Sequence, residues 1–331
     1  MILATRKDGS RDGELLVVAR EHDRAVAVPA IAPTLQALLD NWSRLAPRAA
    51  AVSAALNAKG FPGAPIAESE LHSPLPRAYA WIDGSAYINH IVLVRKARGA
   101  EPPATLATDP LMYQGGSDTF LAPRADIPIA DAAWGVDFEG EVAVITDDVP
   151  EGTSAEAALS HIKLIVLVND VSLRNLIPGE LEKGFGFFQS KPSSAFSPFA
   201  LTPDELGPAW QGGRVHLPLR SWVRRGPEGD WNRFGDPEAG PEMHFSFGEL
   251  IAHAARTRAL SAGTLLGSGT ISNVDQARGS ACLAEKRMLE KIHEGTIHTP
   301  FLQPGDGVRI QMLSADGRDL FGTIEQTVVQ R

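Results

Sequence analysis

The sequence predicts a β-rich α+β protein in two units, a small N-terminal one over residues 1–72 and a larger one over 73–331. Three observations predict it. Short apolar runs broken by Gly and Pro recur along most of the chain. Only a few stretches carry a helical period. The segment GFPGAPIAESELHSPLPR (60–77), rich in Pro and Gly, reads as a linker, which puts a boundary near residue 72. At 331 residues the chain can hold two domains and a sizeable core.

In chain order, Met1–Thr5, Glu14–Ala19 and Ala25–Val28 read as strands separated by the turn-rich KDGSRDG and EHDR. Thr34–Leu45 and Ala49–Ala58 follow Pro33 as an amphipathic helical hairpin. From Ala78 onward short strands dominate, one of them ending at Ile145. TSAEAALSHI (153–162) is a short helix capped by Thr153 or Ser154. KLIVLVNDVSL (163–173) has the apolar run of a buried strand, interrupted by polar residues at its end. Ser246 and Glu249 form a capping box for the helix SFGELIAHAARTRAL. The tail VRIQMLSADGRDLFGTIEQTVV predicts a hairpin around Ala315, Asp316 and Gly317.

Composition excludes several function classes. The net charge is −9 with no block of Lys and Arg, which argues against a nucleic-acid partner. A single cysteine, Cys282, allows no internal disulfide and fits a reducing, cytoplasmic compartment. The opening MILATRKDGSRDGELLVV is charged within its first dozen residues and is not expected to be a signal peptide. No run of 18 apolar residues suggests a membrane span. HEGTIH (293–298) spaces its histidines five apart, not four, which removes zinc-protease chemistry. GFGFF lacks the third glycine of a dinucleotide loop.

One stretch resists so plain an account. In VDFEGEVAVI (136–145), Asp137, Glu139 and Glu141 alternate with apolar residues. In a strand they would project from one face, about 7 Å apart at roughly 3.3 Å per residue. Two readings stand: a solvated face of a half-buried strand, or a row facing a cation. A fourth acid, Asp170, follows LIVLVN where a buried strand should continue, and a buried carboxylate without a cation is costly. Asp83, Glu139, Glu141 and Asp170 are therefore candidate oxygen donors, a set that suits hard divalent cations such as Mg²⁺, Ca²⁺ or Mn²⁺.

FEGEVAVI, VNDVSLRN, QSKPSSAFSP and LGSGTIS, in that order, resemble the fumarylacetoacetate hydrolase family over residues from about 78 to 330. The N-terminal unit resembles the small SH3-like β-barrel extension of the fumarylacetoacetase branch. The resemblance implies a mixed β-roll catalytic domain, and a divalent metal, Mg²⁺ first, held by Asp83, Glu139, Glu141 and Asp170. Asp137 is then left as an outer or surface residue.

The same resemblance makes His90, seven residues after Asp83 in WIDGSAYINH, the general base. A histidine titrates near neutral pH and takes a proton from water once a carboxylate fixes its tautomer. The matched partner is Glu285 in GSACLAEKR, whose plain reading is a surface helix position. His90 read by itself is a structural histidine on a strand or loop. Lys191 matches the donor to the tetrahedral oxyanion, and Tyr113, Arg174 and Thr270 match substrate-binding positions. Ile177 stands where fumarylacetoacetases carry a substrate-touching Gln, and SAY replaces their Phe-Tyr pair. The implied activity is metal-dependent hydrolysis of a C–C bond in β-diketo acids, as in fumarylacetoacetate cleavage during tyrosine or other aromatic breakdown, by a homodimer. The alternatives are an acylpyruvate hydrolase, an oxaloacetate decarboxylase, a 2-oxopent-4-enoate hydratase, or a non-catalytic metal-stabilised binding protein. The last has no use for His90, Glu285 and Lys191.

Overall fold

The run KLIVLVN becomes the strand Ile162–Asn169, antiparallel to Gly140–Thr146, with Val168 opposite Glu141 and Asn169 opposite Gly140. The computed structural model describes residues 1–58, 62–96 and 104–331. Both strands are almost wholly buried, as their near-continuous apolar sequences require. They lie in the middle of an eleven-stranded mixed sheet. To one side follow Leu265–Gly267, then Trp81–Gly84 parallel to it, then Met112–Gly115 at the edge. To the other, Ala200–Leu201 leads to Ile2–Arg6, Glu14–Val18, Arg24–Ala27 and Ala64–Pro65.

A five-stranded sheet contains the C-terminal hairpin expected around residues 315–317, Gly307–Met312 against Ile324–Gln330. Val142, Val144, Ile165 and Leu167 of the large sheet share a core with Leu219, Val308, Ile310 and Ile324 of the smaller one. The opposite face of the large sheet is covered by helices: Ala143, Ile145, Leu164 and Val166 pack with Leu35, Leu38, Leu39, Leu45 and Ala49. Trp81 and Val168 belong to this second core. Asp83, Glu141 and Asp170 share their two-residue parity, so the alternation delivers all three acids to one face near the strand ends.

The N-terminal strands do not close into a barrel. They form an open edge of the large sheet through Ile2 opposite Leu201, and the helices after them bury their apolar face on main-domain strands. The helical hairpin also breaks elsewhere than expected: its helices are Leu35–Leu39 and Trp42–Asn57, with Pro47 inside the second. Pro47 is the sixth residue of that helix, so its missing amide removes one intrahelical bond just past the first turn. The presumed linker is tied down. Residues 60 and 61 lie outside the described residues, but Ala64–Pro65 pairs with Arg24–Ala27, Leu71 bridges Arg6, and Thr5 Oγ1 donates to the Pro74 carbonyl at 2.6 Å. Ser154 and the Ser246–Glu249 box cap their helices as expected. Among the described residues no helix is long and apolar enough to cross a membrane.

Candidate active site

Asp83, Glu141 and Asp170 each offer a carboxylate oxygen, all within 4.8 Å of one another, and all three residues are buried. The sheet register explains the approach. Asp83 lies opposite Gly267, which lies opposite Ala143, so the strand between the acids carries a glycine where they converge. A Cβ at Gly267 would stand 2.4 Å from Asp83 Oδ1 and 3.1 Å from Glu141 Oε2. The Gly269 amide donates to Asp83 Oδ1 at 3.2 Å, whereas both Glu141 carboxylate oxygens are buried without a donor. Burial, and then the charges of Asp83 and Asp170, push the Glu141 carboxyl well above the usual range. Burial and the Asp170 charge do the same to Asp83. An orphaned carboxylate in an all-oxygen cluster is what a hard divalent cation relieves, so the residues present fit such an ion.

Glu139 is reached by cations. Arg174 Nη2 donates to Glu139 Oε1 and Lys191 Nζ to Glu139 Oε2, each at 2.6 Å. Burial works to raise Glu139, but Arg174 and Lys191 outweigh it and hold its carboxyl far below the usual range. Lys191 Nζ also reaches Asp170 Oδ2 at 2.6 Å. The Asp170 and Glu139 charges outweigh burial and raise the Lys191 ammonium, which stays protonated. Tyr113 Oη donates to Asp170 Oδ2 at 2.6 Å and Ser194 Oγ to Asp170 Oδ1 at 2.7 Å. Asn169, the polar residue that breaks the apolar run, is engaged at both ends of its side chain: Oδ1 accepts from the Glu139 amide and Nδ2 donates to Gln326.

Asp137 is buried, not a surface residue. It accepts from the Leu283 and Ala284 amides at 2.7 and 2.9 Å, and from Arg174 Nε at 2.8 Å. Those amides open the helix Leu283–Glu294, whose N-terminus favours an anion. The acidic row thus anchors the element that carries Glu285.

His90 lies on the helix Ile88–Lys96, not on a strand or loop, and this helix packs against Leu283–Glu294. Its Nδ1 is 2.9 Å from Glu285 Oε2, and Glu285 is buried, against the plain surface reading of its helix position. With the Nδ1 proton donated to Glu285, Nε2 carries the lone pair. Thr270, buried one residue after Gly269, takes part in none of the hydrogen bonds just described.

Residues 80–329 match the family model described as "Fumarylacetoacetate (FAA) hydrolase C-terminal". The chain belongs to the fumarylacetoacetate hydrolase family. Residues 1–77 match "Fumarylacetoacetase N-terminal domain 2". This family member is 25% identical over 219 residues to the 2,4-didehydro-3-deoxy-L-rhamnonate hydrolase of Sphingomonas sp. (strain SKA58), covering 65% of this chain and 72% of that one. It is also 25% identical over 213 residues to the oxaloacetate tautomerase YisK of Bacillus subtilis (strain 168), covering 63% of this chain and 64% of the tautomerase, less than two thirds of its length. Its fold resembles maleylpyruvate hydrolase from Sphingobium sp. SYK-6, with a TM-score of 0.66, 16% identity and all of both chains covered. The same hydrolase in complex with manganese(II) and pyruvate gives a TM-score of 0.64 at 17% identity, over 100% of this chain and 99% of that one.

Sequence reasoning missed three residues that shape the candidate site. Gly267 stood inside the quoted LGSGTIS, and Ser194 inside QSKPSSAFSP. The third, Glu180, ends NDVSLRNLIPGE. Its carboxylate accepts from the amides of Phe188, Gln189 and Ser190 at 3.1, 2.6 and 3.1 Å and from the Ser190 hydroxyl, which fixes the backbone entering Lys191. Burial opposes ionisation, yet the Ser190 hydroxyl and the three amides hold its pKa at about 2. A carboxylate shape close to helix residues gives no sequence signal for this role. Glu180→Gln puts an NH₂ where an amide donates, and is expected to lower stability by about 1–3 kcal/mol at pH 7. Because the folded pKa lies below the ordinary 4.5, the wild-type advantage should disappear as pH falls from there toward about 2. Urea unfolding at both ends of that range checks it.

Proposed function

We propose that this protein is a divalent-metal-dependent hydrolase that cleaves a C–C bond in β-diketo acids, with fumarylacetoacetate and acylpyruvates as members of the substrate class. The observation that supports it most is the orphaned Glu141 carboxylate between Asp83 and Asp170, with a His90–Glu285 pair on the neighbouring helices. Asp83, Glu141 and Asp170 would hold the cation, which when bound supplies Lewis-acid polarisation of the substrate carbonyls; Glu139, expected from the sequence as a fourth ligand, has both oxygens engaged by Arg174 and Lys191 and stays paired with them.

The chain's own groups do the rest. Glu285 holds the His90 ring in one tautomer, and Nε2 takes a proton from water. The water oxygen bonds to a substrate carbonyl carbon, the adjacent C–C bond breaks, and the departing carbon receives a proton. Lys191, kept cationic by its two carboxylates, has one N–H left for the developing oxyanion. Arg174 balances Asp137 and Glu139 and keeps the acidic row from repelling an anionic substrate. Tyr113 and Thr270 are placed on the substrate side in this reading. A cytoplasmic homodimer acting in aromatic-compound breakdown goes with it.

A second reading, tautomerisation of a 2-oxo acid, is supported by the tautomerase relative, since the same base can move a proton at carbon without water adding. Absorbance of the conjugated diketone separates them. Loss of fumarylacetoacetate or acylpyruvate absorbance with two acids as products supports hydrolysis; turnover of oxaloacetate alone would replace it.

EDTA is expected to abolish turnover and Mg²⁺ or Mn²⁺ to restore it. The same cation should raise the melting temperature, by the equivalent of about 2.7 kcal/mol at a concentration 100 times its Kd. A cation that stabilises without restoring turnover would favour the binding-protein alternative.

A further inference from the structure

We propose that the mouth of this site selects β-diketo acids whose far substituent is apolar and uncharged, an aryl or branched alkyl group, and that Phe187 and Phe188 form the selecting wall. The inference rests on the reaction class proposed above and goes beyond it to the substrate's tail, ranking apolar-tailed acids ahead of fumarylacetoacetate, whose far end is a carboxylate, within that class.

A cavity of about 490 Å³ opens beside Lys191, lined among others by Gln114, Asp118, Thr119, Phe187 and Phe188. Lys191, which lines it, ties it to the acidic cluster through its bonds to Glu139 and Asp170. Tyr113, next to Gln114, donates to Asp170, and Phe187 meets the Tyr113 ring edge-on, centroids 5.2 Å apart. Phe188 is 86% exposed, a large apolar ring left outside both cores at the rim of a cavity. The stretch that carries these rings is a shaped turn. Gly184 and Gly186 have φ of 78° and 84°, values that side-chain-bearing residues rarely adopt. Glu180 clamps the far end of the turn through the Phe188, Gln189 and Ser190 amides. The rings are thus held at the mouth by built-in contacts and not left on a loose strand end.

The charges decide what the wall accepts. Lys191 is the cation among the described residues lining this cavity, and two of its three N–H bonds go to Glu139 and Asp170. One remains for the reacting oxygen. A second carboxylate at the far end of the substrate would meet two phenyl rings, the neutral Gln114 and Thr119, and the anionic Asp118. Arg11 and Arg77 line an adjoining cavity that shares only Asp118 and Thr119 with this one, and Arg77 is paired with Asp12 at 2.7 Å. An apolar tail loses nothing by entering and removes the exposed rings from water.

Steady-state kinetics on the Mn²⁺-loaded enzyme test this with three β-diketo acids sharing one core and ending in a methyl, a phenyl or a vinyl-carboxylate group. The phenyl acid should exceed the carboxylate-tailed acid in kcat/KM by about 10-fold or more, mostly through KM. Phe188→Ala should lower the phenyl-to-methyl ratio by about 10-fold, and because the ring is exposed its loss leaves the fold intact. Clear turnover with the carboxylate tail equal or preferred, or an unchanged ratio in Phe188→Ala, overturns the tail inference and leaves the reaction intact. Turnover of none of the three, with Mn²⁺ binding shown by calorimetry, overturns the reaction reading and this inference together.

Discussion

Replacing His90 by alanine is expected to lower kcat by about 10²–10⁴-fold while cation affinity stays close to wild type. The expectation follows from where the ring stands. Its Nδ1 is engaged by Glu285 at 2.9 Å, and the clustered carboxylate oxygens belong to Asp83, Glu141 and Asp170, not to the histidine. Removing the imidazole therefore removes the proton acceptor and leaves the oxygen set whole. Calorimetric titration with Mn²⁺ beside a turnover assay checks both halves. Lost cation binding in His90→Ala would make the histidine a ligand and overturn its assignment as the base. Retained turnover would move the base elsewhere.

Glu141→Ala is expected to act in the opposite way, with cation binding and turnover falling together. It also carries an unusual stability signature. In the absence of a cation, Glu141 is a buried carboxyl whose ionisation is opposed by burial and by the charges of Asp83 and Asp170. Removing it should leave the metal-free protein as stable as wild type or more so, because a desolvated group without a partner is lost. In the presence of Mg²⁺ or Mn²⁺ the order should reverse, since only the wild type gains the binding free energy. Melting temperatures of both proteins, with and without cation, give four numbers, and a crossing between the pairs is the expected pattern. An active, cation-replete Glu141→Ala protein would mean that the acidic row has no part in holding an ion.

Part of the carboxylate cluster was legible because polar residues interrupted apolar strands. Asp170 at the end of LIVLVN and Glu141 at the start of EVAVI are anomalies on a buried surface, and both fall in the cluster. What escaped was made by residues whose sequences look ordinary. Glu180 reads as a helix surface residue until the turn at 188–190 folds onto it. Asp137 read as an outer residue because nothing in its own strand shows the helix N-terminus, some 146 residues later, that its carboxylate caps. His90 sits on a helix that the two polar residues Asn89 and His90 in YINHIVL do not announce.

By itself the sequence determined the strands, the caps and the identity of the acids, since a two-residue alternation, a Ser-x-x-Glu box and a carboxylate amid valines are local facts. Only the tertiary structure decided which carboxylates meet each other and which meet cations. Asp83, Glu141 and Asp170 converge because three separate strands place them on one face around Gly267. Glu139, two residues from Glu141, is instead met by Arg174 and Lys191 from later segments. It likewise decided that the N-terminal strands form a sheet edge and not a barrel, because Ile2 and Leu3 found partners at Leu201 and Ala200. Charge and pairing depend on distance in space, and that is set by strands far apart in the chain.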